Sequence, residues 1–217
     1  MFNVLMLFTP DIQLLPEGAV FIKSTSSLVI ADIHLGKSAT FRARGLPVPE
    51  GDTELDLTRI RNLIHETHAK HLIIAGDLFH APAGVTTDLA ELLAAFMGTL
   101  GIPLTLICGN HDAKLKRLPA SLTALAHLDQ GAIRIVHDPK DASPDHLNIA
   151  GHWHPVARIP DGKRTSLRLP CFLFRKQTLV IPSFGSFTGG AIIAPEPGDR
   201  LFIPLRGQVI ELPEALR

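Results

Sequence analysis

The stretch that decides the fold is HLIIAGDLFH, residues 71–80, in which a short apolar run stops at Gly76 and Asp77. A continuous apolar run of this length, closed by glycine, is typical of a strand buried on both faces of a sheet. Similar runs, each ending at a polar or glycine-containing turn, occupy residues 27–31 (SLVIA), 103–108 (PLTLIC), 133–136 (IRIV) and 147–150 (LNIA). Five buried strands are therefore predicted, each followed by a turn.

Helical patterns separate the first of these strands. Residues 53–70 and 87–100 carry leucine and isoleucine at the spacing of one helix face, and Asp52 is the expected cap of the first helix. Residues 112–128 predict a further helix that is broken near Pro119. The alternation of strands and helices through residue 136 predicts an α/β sheet with right-handed crossovers.

The last third of the chain has a different pattern. Short apolar runs, separated by glycine and proline, predict strands and turns at residues 168–173, 178–181, 191–194, 201–205 and 208–212. We expect them to form a second, largely antiparallel sheet packed on the first, joined by an early hairpin at residues 11–24. The 217 residues, 46% of them hydrophobic, suffice for one well-packed domain, so residues 1–217 are predicted to form a single domain.

Charge and cysteine content limit the function classes. The 21 basic and 21 acidic side chains cancel, which argues against a domain that grips nucleic acid by bulk electrostatics. The two cysteines, Cys108 and Cys171, indicate a fold without a disulfide framework, and Cys108 is interpreted as a small core residue. No apolar run approaches the ~18 residues of a membrane span, and a cytoplasmic protein without a membrane segment is expected.

Polar side chains stand at the ends of the five predicted strands. Because ligands bind beyond the carboxyl ends of strands in open α/β sheets, we expect these side chains to meet. All of them are oxygen or imidazole donors, a mixture that suits manganese, iron or zinc better than calcium or a cysteine-type structural zinc site. The residues concerned are Asp32, His34, Asp77, Asn110, His111, His137, His152 and His154.

The five segments resemble the signature of calcineurin-like metallophosphoesterases. That signature is D-x-H, G-D-x-x-(D/H), G-N-H-(D/E), a lone histidine and G-H-x-H, and all five occur here in order between residues 32 and 154. Residues 31–42, 45–51, 169–172 and 182–190 further resemble the bacterial ligase-associated DNA damage response endonuclease family of the PdeM type. The resemblance implies a four-layer α/β/β/α sandwich of two mixed β-sheets flanked by helices.

The resemblance also implies a role for each site residue. Asp32, His34 and His154 would hold one divalent ion, Asn110, His137 and His152 a second, and Asp77 would bridge them. Manganese is the expected ion, with iron or zinc as alternatives, and a water activated by both metals would attack phosphorus. His111 would protonate or stabilise the leaving group, and His80 would orient His111 or the substrate.

Several of these assignments have rivals. The lone histidine of the fourth motif is interpreted as His137, which ends an apolar run, and His127 and His146 compete with it. Lys37 and Arg42 are expected to bind substrate, but they could equally form the solvated face of a short helix. Trp153 could flank the substrate or merely pack beside the site.

The favoured function is a metal-dependent phosphodiesterase acting on nucleic acid, specifically a DNA endonuclease or processing nuclease. The family resemblance implies a bacterial repair setting with an ATP-dependent DNA ligase and a helicase, and His80 in place of the aspartate of many phosphatases favours a nuclease. One alternative is hydrolysis of small phosphodiesters, cyclic nucleotides or phosphomonoesters. A remote alternative is a non-catalytic scaffold. A homodimer is left open.

Overall fold

The structure is a computed structural model that describes residues 6–116, 118–119, 122–162 and 165–214. Its α-helices are α1 (Lys37–Ala43), α2 (Asp52–Thr67) and α3 (Thr87–Leu100), and single 3₁₀ turns span Pro82–Gly84, Asp112–Lys114 and Pro139–Asp141. The strands are β1 (Met6–Leu7), β2 (Ile12–Leu15), β3 (Ala19–Ile22), β4 (Ser27–Ile30), β5 (His71–Ile74), β6 (Leu104–Ile107), β7 (Thr123–Leu125), β8 (Leu128–Gln130), β9 (Ile133–Ile135), β10 (Leu147–Ala150), β11 (Pro155–Pro160), β12 (Ser166–Pro170), β13 (Phe172–Arg175), β14 (Thr178–Val180), β15 (Ala191–Ile192), β16 (Arg200–Leu205) and β17 (Gln208–Glu211).

The first sheet has the strand order β1-β2-β3-β4-β5-β6-β7. Strands β4 to β7 are parallel, whereas β1 to β4 pair antiparallel. Helices α1 and α2 connect β4 to β5, and α3 connects β5 to β6. The hairpin predicted at residues 11–24 exists as β2 and β3, but its predicted place in the second sheet is wrong. A tight turn from Lys23 to Ser26 returns the chain directly into β4, so that Ile22 pairs with Ser27 and the hairpin extends the first sheet.

The second sheet has the order β17-β16-β13-β14-β10-β9-β8. Strands β14, β10 and β9 run parallel, and the remaining neighbours run antiparallel, which confirms the predicted largely antiparallel second sheet. Two predicted memberships are wrong. The run at residues 133–136, expected in the first sheet, pairs with β10 of the second, and the run at residues 191–194 pairs with β11 outside both sheets. A small third sheet, β12-β11-β15, was not predicted as a separate unit. The chain thus has a mixed α/β fold with more than one mixed sheet, as expected.

Two apolar layers hold the first sheet in place. On one face, Leu28 and Leu72 join a core with Leu63 of α2 and Phe96 of α3. On the other face, alternate residues such as Val29 and Ile73 pack against the second sheet, because successive strand side chains point to opposite faces. Within the described ranges the outer face of the second sheet is covered by the small third sheet, through Ala157 of β11, rather than by a helix.

The predicted broken helix at residues 112–128 is wrong. The chain makes one 3₁₀ turn, Asp112–Lys114, and then enters β7 and β8, while Arg117 lies outside the described residues. Pairing of β7 with β6, continued by a hydrogen bond from the Cys108 amide to the Leu125 carbonyl, outweighs the local helical pattern.

Two local assignments also need correction. Cys108 is exposed rather than part of the core, since β6 ends one residue earlier. Gly51 rather than Asp52 stands at the cap of α2, and Asp52 instead accepts a hydrogen bond from the Ser38 hydroxyl at 2.6 Å. No helix in the described part of the chain is long and apolar enough to cross a membrane.

Candidate metal centre

The loops that follow β4, β5, β6, β9 and β10 meet at one edge of the two packed sheets. All seven predicted ligands lie on these loops, and the structure brings their side chains into two adjoining groups that share Asp77. The convergence follows from topology, because parallel strands deliver their carboxyl ends to the same edge.

The first group consists of Asp32, His34 and His154. The Nε2 atom of His154 lies 3.3 Å from Asp32 Oδ1 and 3.4 Å from His34 Nε2. The Nδ1–H group of His154 donates to the Gly189 carbonyl at 3.1 Å, so the lone pair of the neutral ring is on Nε2. The backbone amide of His152 donates to Asp32 Oδ2 at 2.8 Å and fixes that carboxylate.

The second group forms around His137. Its Nε2 atom lies 3.1 Å from both Asn110 Oδ1 and His152 Nδ1. The Nδ1–H group of His137 donates to the Ala75 carbonyl at 3.0 Å, which again leaves Nε2 free to act as a ligand. The two rival histidines are elsewhere: His127 is exposed, and His146 contacts the Ser143 hydroxyl.

Asp77 lies between the two groups. Its Oδ1 atom accepts a hydrogen bond from the His111 amide at 2.8 Å. Its Oδ2 atom is 3.5 Å from His137 Nε2 and 3.9 Å from His34 Nε2. One carboxylate oxygen therefore faces imidazoles of both groups, which is the position of a bridging ligand.

The polar atoms of the centre fit a pair of cations. The buried Asp32 Oδ1 atom has no hydrogen-bond partner among the described residues, and His34 Nε2 faces His154 and Asp77. Burial, reinforced by His154 and His111, lowers the pKa of His34 to about 2, so its ring is neutral and able to bind a metal. Burial also disfavours a charged His154, but Asp32 and the Gly189 carbonyl outweigh it and raise the pKa of His154 above 6.5. A cation bound between Asp32 and His154 would take the place of the proton that Asp32 favours on the His154 ring.

His111 and His80 lie beside the two groups. The Nδ1–H group of His111 donates a short hydrogen bond to the backbone carbonyl of His80, which turns His111 Nε2 toward the centre, 4.0 Å from Asp77 Oδ2. The rings of the two histidines stack with centroids 5.4 Å apart. It is therefore the main chain of His80 that orients His111. Burial, followed by the charge of Lys37, lowers the pKa of His80 to about 4 and keeps its ring neutral.

Two carboxylates that the sequence did not single out position the ligands. Buried Asp112 accepts hydrogen bonds from the backbone amides of Leu78, Phe79 and Gly109 at 3.0–3.3 Å and so ties the second motif to the third. Asp138 Oδ2 lies 3.6 Å from His152 Nε2, so the opposite nitrogen of that ring faces the second group. The last position of the G-N-H-(D/E) motif could have identified Asp112 as a residue of the site. The sequence around Asp138, by contrast, indicates only a turn.

The three predicted substrate contacts have different surroundings. Lys37 begins α1, is partly buried and lies close enough to His34 and His80 to affect their pKa values. Arg42 is engaged by its own loop, donating to the Val48 and Pro49 carbonyls and pairing with Glu50 at 3.3 Å. Trp153 lines a cavity of about 800 Å³ together with Asp138, and the Arg175 guanidinium lies over its ring.

Comparison with known proteins gives a family match and a similar fold. The family model for calcineurin-like phosphoesterases matches residues 26–167. The crystal structure of Pseudomonas putida nuclease MPE is 31% identical, covers 93% of this chain and 94% of its own, and superposes with a TM-score of 0.77. Yfce, a phosphoesterase from E. coli, is 16% identical over 86% of this chain and 97% of its own, with a TM-score of 0.40. No curated protein sequence matches significantly.

Proposed function

The chain belongs to the calcineurin-like phosphoesterase family, and we propose that this hydrolase cleaves phosphodiester bonds of nucleic acid, as a DNA endonuclease or processing nuclease in bacterial DNA repair. The observation that carries the proposal is the double group of ligands around Asp77 Oδ2, in a chain alignable over 93% of its length with a nuclease. A shared carboxylate between two imidazole-rich groups is the arrangement that two-metal phosphoester hydrolysis needs.

The proposed ligand sets follow the two groups. Asp32, His34 and His154 would hold one divalent ion, Asn110, His137 and His152 the other, and Asp77 both. When bound, such ions neutralise phosphate charge and acidify a water molecule. Manganese is the proposed ion because the donor set contains only oxygen and imidazole nitrogen, and iron or zinc would also be accepted.

The chain's own residues supply positioning and a proton. His111 Nδ1 is held by the His80 carbonyl, so a protonated His111 places its second N–H at Nε2, facing the centre. From there the proton can pass to the leaving oxygen. Lys37, beside His34 and His80, adds a positive charge that would attract the substrate phosphate.

The direct test is hydrolysis by the purified protein with manganese. DNA oligonucleotides and bis(p-nitrophenyl) phosphate should both be cleaved, and Asp77→Asn should lower the rate at least ~100-fold because the shared carboxylate is lost. Asp145→Asn, an exposed matched change, should keep the wild-type rate. Absence of cleavage of either substrate, or full activity of Asp77→Asn, would refute the proposal.

A small phosphodiester, cyclic nucleotide or phosphomonoester is the second candidate substrate, favoured by the balanced charge of 21 basic and 21 acidic side chains. Turnover of oligonucleotides should weaken steeply with salt because backbone phosphates bind by counterion release, whereas turnover of mononucleotides should not. Association with an ATP-dependent ligase or helicase, and with a second copy of the chain, remains a prediction that co-purification and light scattering would test.

A further inference from the structure

An exposed aromatic ring stands at the rim of the metal centre. Phe187 is 37% exposed and lies within residues 182–190, here termed the Phe187 loop. Its ring meets Phe41 edge to face with centroids 5.8 Å apart, and Phe41 in turn lies 5.9 Å from the His80 ring. A chain of aromatic contacts thus leads from Phe187 to the candidate metal centre.

The Phe187 loop is fixed on both sides of that ring. Before it, the Ser186 amide donates to both oxygens of buried Asp56, at 2.9 and 3.1 Å. After it, the Thr188 hydroxyl donates to the Ile33 carbonyl at 3.4 Å, and the Gly189 carbonyl accepts from His154. Because these hydrogen bonds to Asp56, Ile33 and His154 hold the residues on both sides of Phe187, the exposed ring is held in place before any ligand arrives.

A cation accompanies the ring. The Nζ atom of Lys37 lies 5.9 Å from the centre of the Phe187 ring. Lys37 is partly buried, and in the described part of the chain no carboxylate lies within ion-pair distance of it. A partly desolvated ammonium without an anionic partner favours binding of an anion. The position therefore combines a flat apolar surface with an unpaired positive charge.

We infer that Phe187 and Lys37 form a nucleotide-binding subsite, in which Phe187 stacks on the base next to the scissile phosphate and Lys37 contacts a backbone phosphate. The inference rests on the proposed nuclease function and extends it by naming where the flanking nucleotide binds. Aromatic rings that are exposed and rigid bind bases through their faces, whatever the base, and a neighbouring lysine secures the backbone. The subsite would thus add affinity for polynucleotides without reading sequence.

The test compares intact and abasic substrates. With manganese and fixed salt, KM and kcat are measured for a labelled oligonucleotide whose cleavage position is mapped, and for oligonucleotides with one abasic residue at each of the two positions on either side. Phe187→Ala should raise KM on the intact strand about 5- to 140-fold, the range of one lost stacking contact. At one of the abasic positions the KM of the wild type should rise by the same factor relative to the intact strand. On that abasic strand, Phe187→Ala should raise KM by less than about twofold over the wild type.

Matched variants separate stacking from packing. Phe187→Tyr should retain the wild-type KM, and Ile210→Ala, which removes another exposed apolar side chain, should leave it unchanged. Lys37→Ala should raise KM on intact and abasic strands alike and flatten the salt dependence, because a phosphate contact is lost. Bound manganese, measured by elemental analysis, should stay at the wild-type level in all of them. If Phe187→Ala loses metal, Phe187→Leu, which keeps the packing on Phe41, replaces it in the comparison.

Two results would overturn the inference. One is a Phe187→Ala enzyme with the wild-type KM on the intact strand. The other is an increase in KM from Phe187→Ala that is as large on all four abasic strands as on the intact strand, which would make Phe187 a packing residue. Both outcomes require a wild-type protein that cleaves the oligonucleotide. A wild type that hydrolyses only small diesters would instead refute the proposed nuclease function, and the inference with it.

Discussion

The substitution Gly76→Ala tests whether the backbone beneath the centre holds His137 in place. Gly76 has φ of +89°, and a Cβ atom there would lie 2.0 Å from His137 Nδ1. Gly45 provides a matched control, because its φ is +80° and a Cβ atom there would meet nothing within 4 Å. Both substitutions force an alanine into the left-handed region, so their difference isolates the contact with His137.

The expected magnitude follows from these two contributions. The left-handed conformation costs about 1–2 kcal/mol for an L-residue, and both variants incur that cost. In Gly76→Ala the imidazole must also move by more than ~1 Å to reach van der Waals distance. This breaks the 3.0 Å hydrogen bond to the buried Ala75 carbonyl. An unpaired buried group costs a further ~1–3 kcal/mol. We therefore expect Gly76→Ala to lose about 2–5 kcal/mol and Gly45→Ala about 1–2 kcal/mol.

The assay is urea unfolding in the presence of EDTA, so that bound metal does not contribute to the stability of either variant. Elemental analysis after dialysis against manganese gives the second measurement. Gly76→Ala should bind about one ion fewer than the wild type, since His137 Nε2 moves away from Asn110, and Gly45→Ala should bind the full complement. Equal unfolding free energies for the two variants, or a full metal complement in Gly76→Ala, would refute the reasoning.

Three further predictions concern stability. Asp112→Asn should cost about 2–4 kcal/mol in urea unfolding, because an amide cannot accept all three buried N–H groups, while Asp145→Asn should be neutral. Burial raises the pKa of the Cys171 thiol to about 12 from 9.0, so between those values the unfolded chain releases a proton that the folded chain keeps. Stability should therefore fall as the pH rises from about 9, and Cys171→Ala should flatten that slope. Manganese at 100 times its Kd should add about 2.7 kcal/mol per bound ion to the free energy of unfolding, and EDTA should abolish the gain. Equal unfolding midpoints with and without manganese would show that the folded centre binds no metal.

Sequence alone predicted the strands that carry the site because their signal is local. Each of β4, β5, β6, β9 and β10 is a run of buried apolar residues closed by a turn, and such runs need no knowledge of their neighbours. Two other features depend instead on which strand offers a free edge for pairing. They are the place of the hairpin at residues 11–24 and the strands after Asp112. That information lies in the tertiary structure, and the local pattern pointed to the wrong answer in both cases.

The residues of the site also fall into those that the sequence predicted and those that only the structure shows. The structure gathers the predicted ligand side chains because motif order and strand topology together determine which loops meet. The third motif could have marked Asp112 as a residue of the site, but the contacts of Asp112 and Asp138 could not be predicted. Each contact depends on the direction of a carboxylate toward distant backbone amides or a histidine ring. The same holds for the His80 carbonyl: His80 was predicted to orient His111 or the substrate, and it is its backbone oxygen that contacts His111.

The backbone conformation of the ligand residues explains why the centre needs this surrounding support. Five of the seven proposed ligands have positive φ, namely Asp32 (54°), His34 (55°), Asp77 (50°), His152 (69°) and His154 (45°). At about 1–2 kcal/mol each, that conformation costs roughly as much as a whole domain's net stability, so it persists only where other contacts impose it. The structure shows these contacts. The His152 amide donates a hydrogen bond to Asp32, and the His111 amide donates one to Asp77. Asp112 accepts hydrogen bonds from the loop after β5 and from the loop after β6. Since each ligand loop is held by a residue of another loop, a substitution in one motif should disturb the ligands of its neighbour as well as its own.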